Sequence, residues 1–199
     1  MKKKLLAVPI KPYKEMGNSF QEMTDGQLVQ SVVCGDCAAF DEIVRRYCRP
    51  LTLFAIARTG SVHNAEDIVQ ETFLRAFQNI NSFNGLYSLH NWLFTIAYRL
   101  IVSGYRKKKP QELSNDAVVQ LSNDEPKSEE YEWLWQAARK LSHDAFTALW
   151  LRYKQDMTTN EIAQVMKKSK VMVRVLLHRS RKSLAERISN QTEMAEKTN

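Results

Sequence analysis

Cysteine is scarce in this sequence: Cys34, Cys37 and Cys48 are the only three among 199 residues. So small and odd a number excludes a disulfide framework. The Cys34-x-x-Cys37 pair has no second CxxC to complete a metal site, and His63 is the only histidine nearby. No metal or cofactor is therefore expected. The four histidines, His63, His90, His143 and His178, lie scattered, and no Ser/His/Asp arrangement or glycine-rich phosphate loop appears. Catalytic residues are accordingly expected to be none. No apolar stretch approaches the roughly 20 residues that span a bilayer, so membrane insertion is excluded. The opening Met1-Lys2-Lys3-Lys4 resembles the start of a secretory signal, but its apolar part is short and Pro9 interrupts it. Residues 1–23 read as a basic extension and the protein as cytoplasmic.

Acidic residues are missing from two long stretches. From Thr72 to Gln111 there is none, while Arg75, Arg99, Arg106, Lys107, Lys108 and Lys109 are basic. From Ile162 to Ala185 there is again none, against Lys167, Lys168, Lys170, Arg174, Arg179, Arg181 and Lys182. Between them, Glu112 to Glu132 carries seven acids and only Lys127. Two basic modules flanking an acidic tether, in a chain of net charge +7, point to two nucleic-acid-facing surfaces.

Apolar residues form 44% of the chain, enough for a real core. Their spacing fits 3.6 residues per turn nearly throughout, and no strand-type alternation stands out. The expected fold is all-α: two small helical domains at 24–109 and 131–188, a flexible acidic linker at 110–130 and a tail at 189–199. In the first domain Leu28–Val33 and Phe40–Tyr47 read as helices broken at Gly35-Asp36, and Leu51–Ala57 as a further apolar stretch. A helix starting near Asn64 puts Val69, Phe73, Ala76, Phe77 and Ile80 on one face. Its other face carries Asp67, Gln70, Glu71 and an exposed Leu74. A loop at Asn81–Gly85 precedes an aromatic helix over Leu89–Tyr105.

Two places carry candidate chemistry. Thr158 with Glu161 three residues on is a capping box. The short helix it starts leads through Lys167-Lys168-Ser169 into a second helix, capped by Ser169. There Val173, Leu177, Ser180 and Leu184 face inward, leaving Lys170, Met172, Arg174, His178, Arg179, Arg181 and Lys182 outside. This is a helix-turn-helix pattern, whose second helix reads the DNA major groove; an ordinary αα-hairpin with a solvated basic face is the alternative. In the first domain Trp92, Tyr98 and Tyr105 lie beside Arg106–Lys109. Single-stranded nucleic acid is held by such stacking rings and backbone-following cations. Trp92 and Phe94 would serve equally as core.

The order Gly35-Asp36-x-x-Ala39-Phe40, Arg46-Tyr47, Ala65-Glu66-Asp67-Ile68-Val69-Gln70-Glu71-Thr72-Phe73 and Trp92-Leu93-Phe94-Thr95-Ile96-Ala97 resembles bacterial RNA polymerase sigma factors of the extracytoplasmic-function type. Glu161-Ile162-Ala163 and Leu177-His178-Arg179-Ser180-Arg181 continue the match, which covers 24–188. The resemblance implies a transcription initiation factor that binds core RNA polymerase and has no catalysis of its own. The first domain would dock Asp67, Gln70, Glu71 and Leu74 on the clamp helices of the largest subunit and open the −10 element. Phe83, Asn84 and the loop to His90 would capture a flipped base, with Trp92, Tyr98, Arg99, Tyr105, Arg106 and Lys107 along the melted strand. The second domain would read the −35 element with Lys170, Met172, Arg174, His178, Arg179 and Arg181, near the flap of the second-largest subunit. Promoter DNA, double- and single-stranded, and an anti-sigma factor are the further partners implied.

Departures from the family pattern are also present. Tyr98-Arg99 and Ser103 replace the usual Arg-Asn and Asp, and Gly104 follows inside the helix. Lys167 replaces the turn glycine, at a cost of about 1 kcal/mol or more if the residue is left-handed. Val175-Leu176 replaces a polar pair: exposed, the two would touch thymine methyls; buried, they would mean a rotated helix. An unusual promoter preference is expected. The rival readings are a stand-alone helix-turn-helix regulator, a nucleic-acid enzyme, for which a metal–carboxylate cluster is missing, and a sigma-like partner that does not initiate.

Overall fold

The structure is a computed structural model that describes residues 20–107 and 132–196. The expected linker and the side chains of Tyr105, Arg106 and Lys107 lie outside the described residues. The described residues form eight α-helices and two short 3-10 turns, at Phe20–Glu22 and Ile80–Ser82, with no strand among them. The first half holds α1 (Asp25–Val33), α2 (Ala38–Thr59), α3 (Val62–Gln78) and α4 (Leu89–Lys107). The second half holds α5 (Glu132–Arg139), α6 (His143–Tyr153), α7 (Thr159–Val165) and α8 (Lys170–Glu196).

Short polar side chains set the helix starts by satisfying amide groups that have no partner in the first turn. The Thr24 hydroxyl accepts from the Gln27 amide at 3.4 Å while Gln27 Oε1 accepts from the Thr24 amide at 2.8 Å. Ser61 caps α3 and Ser142 caps α6 in the same way. Helix α2 ends at Gly60, whose φ of 68° suits a residue without Cβ.

The stretches Phe40–Tyr47 and Leu51–Ala57 belong to one 22-residue helix that runs through Pro50. Proline removes one ladder hydrogen bond and normally breaks a helix. Here Leu51, Phe54, Ala55, Ile56 and Ala57 are buried immediately after it, so packing holds both sides of the proline on one axis. Helix α3 buries Ala65, Val69, Thr72, Phe73 and Ala76, close to the expected face. Phe77 differs from expectation: it is 42% exposed, with its ring edge-on to Phe40 at 5.0 Å. Its ring packs on Phe40 near the start of α2 while the rest of it stays open to solvent.

Helix α4 closes the first bundle with Leu89, Leu93, Phe94, Ala97 and Ile101 buried. In the second half Trp135, Phe146 and Trp150 stack edgewise or tilted at 5.2–6.1 Å. Met157, Ile162, Val165, Val173 and Leu177 complete that core. The two halves touch directly, α4 lying against α7 and α2 against α6.

Candidate nucleic-acid and partner surfaces

Helix α8 follows the expected pattern closely. Thr158 and Glu161 form the capping box, the Thr158 amide donating to Glu161 Oε2 at 2.7 Å and the Glu161 amide to Thr158 Oγ1 at 3.3 Å. Lys167 has φ 51°, so the turn residue is left-handed although it is not glycine. Ser169 Oγ then accepts the Met172 amide at 3.1 Å and starts α8. Val173, Leu177 and Ser180 are buried. Lys170, Met172, Arg174, His178, Arg179 and Arg181 are all exposed, as the sequence pattern requires. Val175 and Leu176 part company: Val175 is exposed, whereas Leu176 is half-buried and packs on the core. The helix is therefore not rotated.

On α3, Asp67, Gln70 and Leu74 are exposed, Leu74 at 51%. Glu71 is half-exposed and accepts from Arg75 Nε at 2.5 Å. Asp67 Oδ2 lies 3.9 Å from His63 Nε2. Three polar side chains thus surround an apolar tip on one face, a surface that an amphipathic partner would cover.

The loop between α3 and α4 brings Phe83 against Trp92, ring centres 5.4 Å apart and tilted by 55°. Asn84 Oδ1 accepts the Leu86 amide at 3.1 Å, and Gly85 takes φ 69° to turn the chain. Leu86 and Tyr87 stand exposed at its tip. Sequence reasoning did not single them out, although an aromatic beside Asn-Gly in a loop is a detectable signal. Trp92 and Arg99, seven residues apart, share one face of α4, and Arg99 is exposed.

Tyr98 lies elsewhere. It is only 8% exposed, and its hydroxyl donates to Asp144 Oδ1 of α6 at 3.4 Å. Burial, followed by the Asp144 charge, raises its pKa. Its ring faces the second half of the protein and is not open for stacking. Nearby, Asp144 Oδ2 pairs with Lys168 Nζ at 2.9 Å. His90 donates from Nε2 to Gln155 Oε1 at 3.1 Å. Burial pushes the Glu161 carboxyl up, but hydrogen bonds from Thr158 and from the Asn91 side chain of α4 leave it below its usual range. Polar groups of α4 are thereby matched to Asp144 of α6, Glu161 of α7 and Gln155 in the turn between them.

Both halves of the chain resemble known proteins. The family profile for Sigma-70 region 2 matches residues 43–111, and that for Sigma-70 region 4 matches residues 131–184. The chain is 30% identical over 192 residues to the ECF RNA polymerase sigma factor SigW of Bacillus subtilis, covering 84% of this chain and 98% of that protein. It is 28% identical to the Bacillus subtilis sigma factor YlaC, covering 78% and 95%. Among solved structures, CnrH in complex with the cytosolic domain of CnrY superposes with TM-score 0.62 at 22% identity, covering 83% of this chain and 97% of that one. The Bartonella quintana sigma factor RpoE, in complex with the anti-sigma factor NepR, gives TM-score 0.61 at 24% identity, covering 75% and 96%. At that identity the likeness is one of fold.

Proposed function

The chain belongs to the extracytoplasmic-function family of RNA polymerase sigma factors, and on that premise we propose how its surfaces divide the work of initiation. It is a transcription initiation factor that directs polymerase to promoters. The first half, residues 24–109, binds core polymerase through Asp67, Gln70, Glu71 and Leu74 and opens the −10 element. Phe83, Asn84 and Trp92 receive an unstacked base, and Arg99, with Arg106 and Lys107 beyond it, follows the strand's phosphates. The second half, residues 131–188, presents α8 to the −35 element. The acidic stretch at 110–130 joins them as a nucleic-acid mimic along the positively charged channel of the polymerase.

The observation that carries this reading is the outward face of α8. Between Lys170 and Ala185 this helix carries five cations, Lys170, Arg174, Arg179, Arg181 and Lys182, and no acid; started by the Ser169 cap and preceded by the capping box of α7, it is built to enter a phosphate-lined groove. An anti-sigma partner is supported by the sigma factor RpoE of the same fold, solved in complex with the anti-sigma factor NepR. Among the described residues no helix is long and apolar enough to cross a membrane, which fits a factor working beside polymerase in the cytoplasm.

Run-off transcription tests the proposal. Core polymerase and this chain are mixed with fragmented genomic DNA, and the transcripts are sequenced. Discrete starts with shared upstream elements at two spacings are expected. Stable binding to core without transcripts would overturn the initiation reading. Duplex binding by the free chain with no affinity for core would instead make it a stand-alone regulator.

A further inference from the structure

Helix α8 carries a feature that a purely cationic reading surface does not need. Val171 is 67% and Val175 43% exposed, one helical turn apart on a helix whose neighbouring outward residues are basic. With about 100° per residue, the buried Val173, Leu177 and Ser180 mark one side, and Val171 and Val175 lie almost opposite them. Lys170, Arg174 and Arg181 flank this ridge on one side, and Arg179, with Met172, on the other; all five are exposed. The most protruding line of the first two turns is thus apolar, bordered by Lys170 and Arg174 on one side and by Met172 on the other, with Arg179 one turn further along that second side.

Resting on the assignment of α8 to the −35 element, we propose that Val171 and Val175 select promoters by contacting thymine 5-methyl groups in the major groove. Neither side chain can donate or accept a hydrogen bond, so neither can read a purine edge or the cytosine amine. The thymine methyl is the one apolar group that a base pair presents in that groove. The flanking cations are placed to meet the phosphates on either side, which favours duplex DNA over an apolar protein surface as the occupant. The two valines are separated by about 6 Å along the helix axis and base pairs by about 3.4 Å. The methyls they touch therefore belong to base pairs one or two steps apart, on either strand. Leu176, turned to the core, takes no part.

The experiment uses the full chain assembled with core polymerase and a pool of duplexes with randomised sequence. Enriched duplexes are resynthesised with deoxyuridine in place of each upstream thymine, which removes the methyl and leaves pairing intact. Wild-type holoenzyme is expected to bind about three- to fivefold more weakly when either of two thymines is replaced, the cost of one buried methyl-sized group. Val171→Ala and Val175→Ala should each erase the thymine–uracil difference at one of these positions. Equal binding of thymine and uracil at every upstream position would overturn the proposal, as would valine variants that keep the difference. Arg174→Ala and Arg179→Ala separate this failure from that of the underlying assignment. If they weaken upstream binding while uracil is silent, the thymine contact alone falls. If they change nothing, or no upstream element is enriched, α8 is not the −35 reader and both fall. Loss of core binding on Val171→Ala would give the ridge to a protein contact and also overturn the proposal.

Discussion

Arg58, near the end of α2, donates from Nη1 to His143 Nδ1 at 3.0 Å and to the His143 carbonyl at 3.2 Å. The guanidinium is buried where the two halves of the protein meet, so one side chain of the first bundle holds the first residue of α6. Charged hydrogen bonds of this kind contribute about 1.5–3 kcal/mol. Arg58→Leu is expected to loosen the contact between the halves without unfolding either. Faster amide exchange at the start of α6 and in the middle of α4, with unchanged exchange in the α2–α3 core, would show it. Unchanged exchange at both places would refute it.

The same contact is sensitive to pH. Burial, and next the Arg58 charge, hold the His143 pKa below its ordinary value of 6.5, with Asp144 acting in the opposite direction. Tyr98 and Lys168 also border this node, both through Asp144. A base whose pKa is lowered by folding is neutral in the folded state and takes up a proton on release. Its contribution is therefore intact above pH 6.5 and declines as pH falls below it. The distance between labels on the two halves should increase as pH drops below 6.5, and His143→Gln should flatten that dependence.

Glu42, through Arg46, ties α2 to the 3-10 turn at Phe20–Glu22 and the start of α1. Its buried carboxylate accepts from Arg45 and Arg46, each at 2.7 Å, and Arg46 reaches Asp25 at 3.2 Å and the Phe20 and Gln21 carbonyls at 3.0 Å. The Arg45 hydrogen bond, opposed by burial and aided by Arg46, lowers the Glu42 pKa from 4.5 to about 2. This stability is fully present above pH 4.5 and is lost as pH falls towards 2. Glu42→Gln is expected to cost about 2 kcal/mol at neutral pH in a denaturant titration and to lose less stability than wild type between pH 4.5 and 2.

The left-handed Lys167 stores strain that the family's turn glycine would avoid. An L-residue there costs roughly 1–2 kcal/mol, and glycine returns part of that as chain entropy in the unfolded state. Lys167→Gly should raise stability by about 0.5–1 kcal/mol in chemical denaturation. A neutral or destabilising result would mean that the lysine side chain compensates.

Among the described residues, Asp67, Gln70 and Leu74 make no side-chain hydrogen bond or ion pair beyond the long Asp67–His63 contact. Asp67→Ala and Leu74→Ala should leave the melting temperature within about 0.5 kcal/mol equivalents of wild type. Each should weaken binding to core polymerase by about tenfold or more, as truncation of a central interface residue does. Normal core affinity would move the docking face elsewhere on the molecule.

The sequence by itself determined the helical fold class, the position of α3 and α4, and the helix-turn-helix with its capping box. Those features depend on residues close together in the chain: a 3.6 period, Thr158 with Glu161, Ser169 with Met172. The charge blocks were legible for the same reason. Tertiary structure alone decided the rest. Pro50 stays inside a helix because distant residues pack on both sides of it. Phe77 packs on Phe40 of α2 and stays partly exposed, a contact that no spacing within α3 states. The split between exposed Val175 and packed Leu176 depends on where the core beneath α8 lies, which no spacing within the helix states. Tyr98 read as a stacking surface from its helix and its cationic neighbours, yet it is covered by Asp144, 46 residues further along. Periodicity reports which face of a helix is apolar; only the packed chain shows what that face meets.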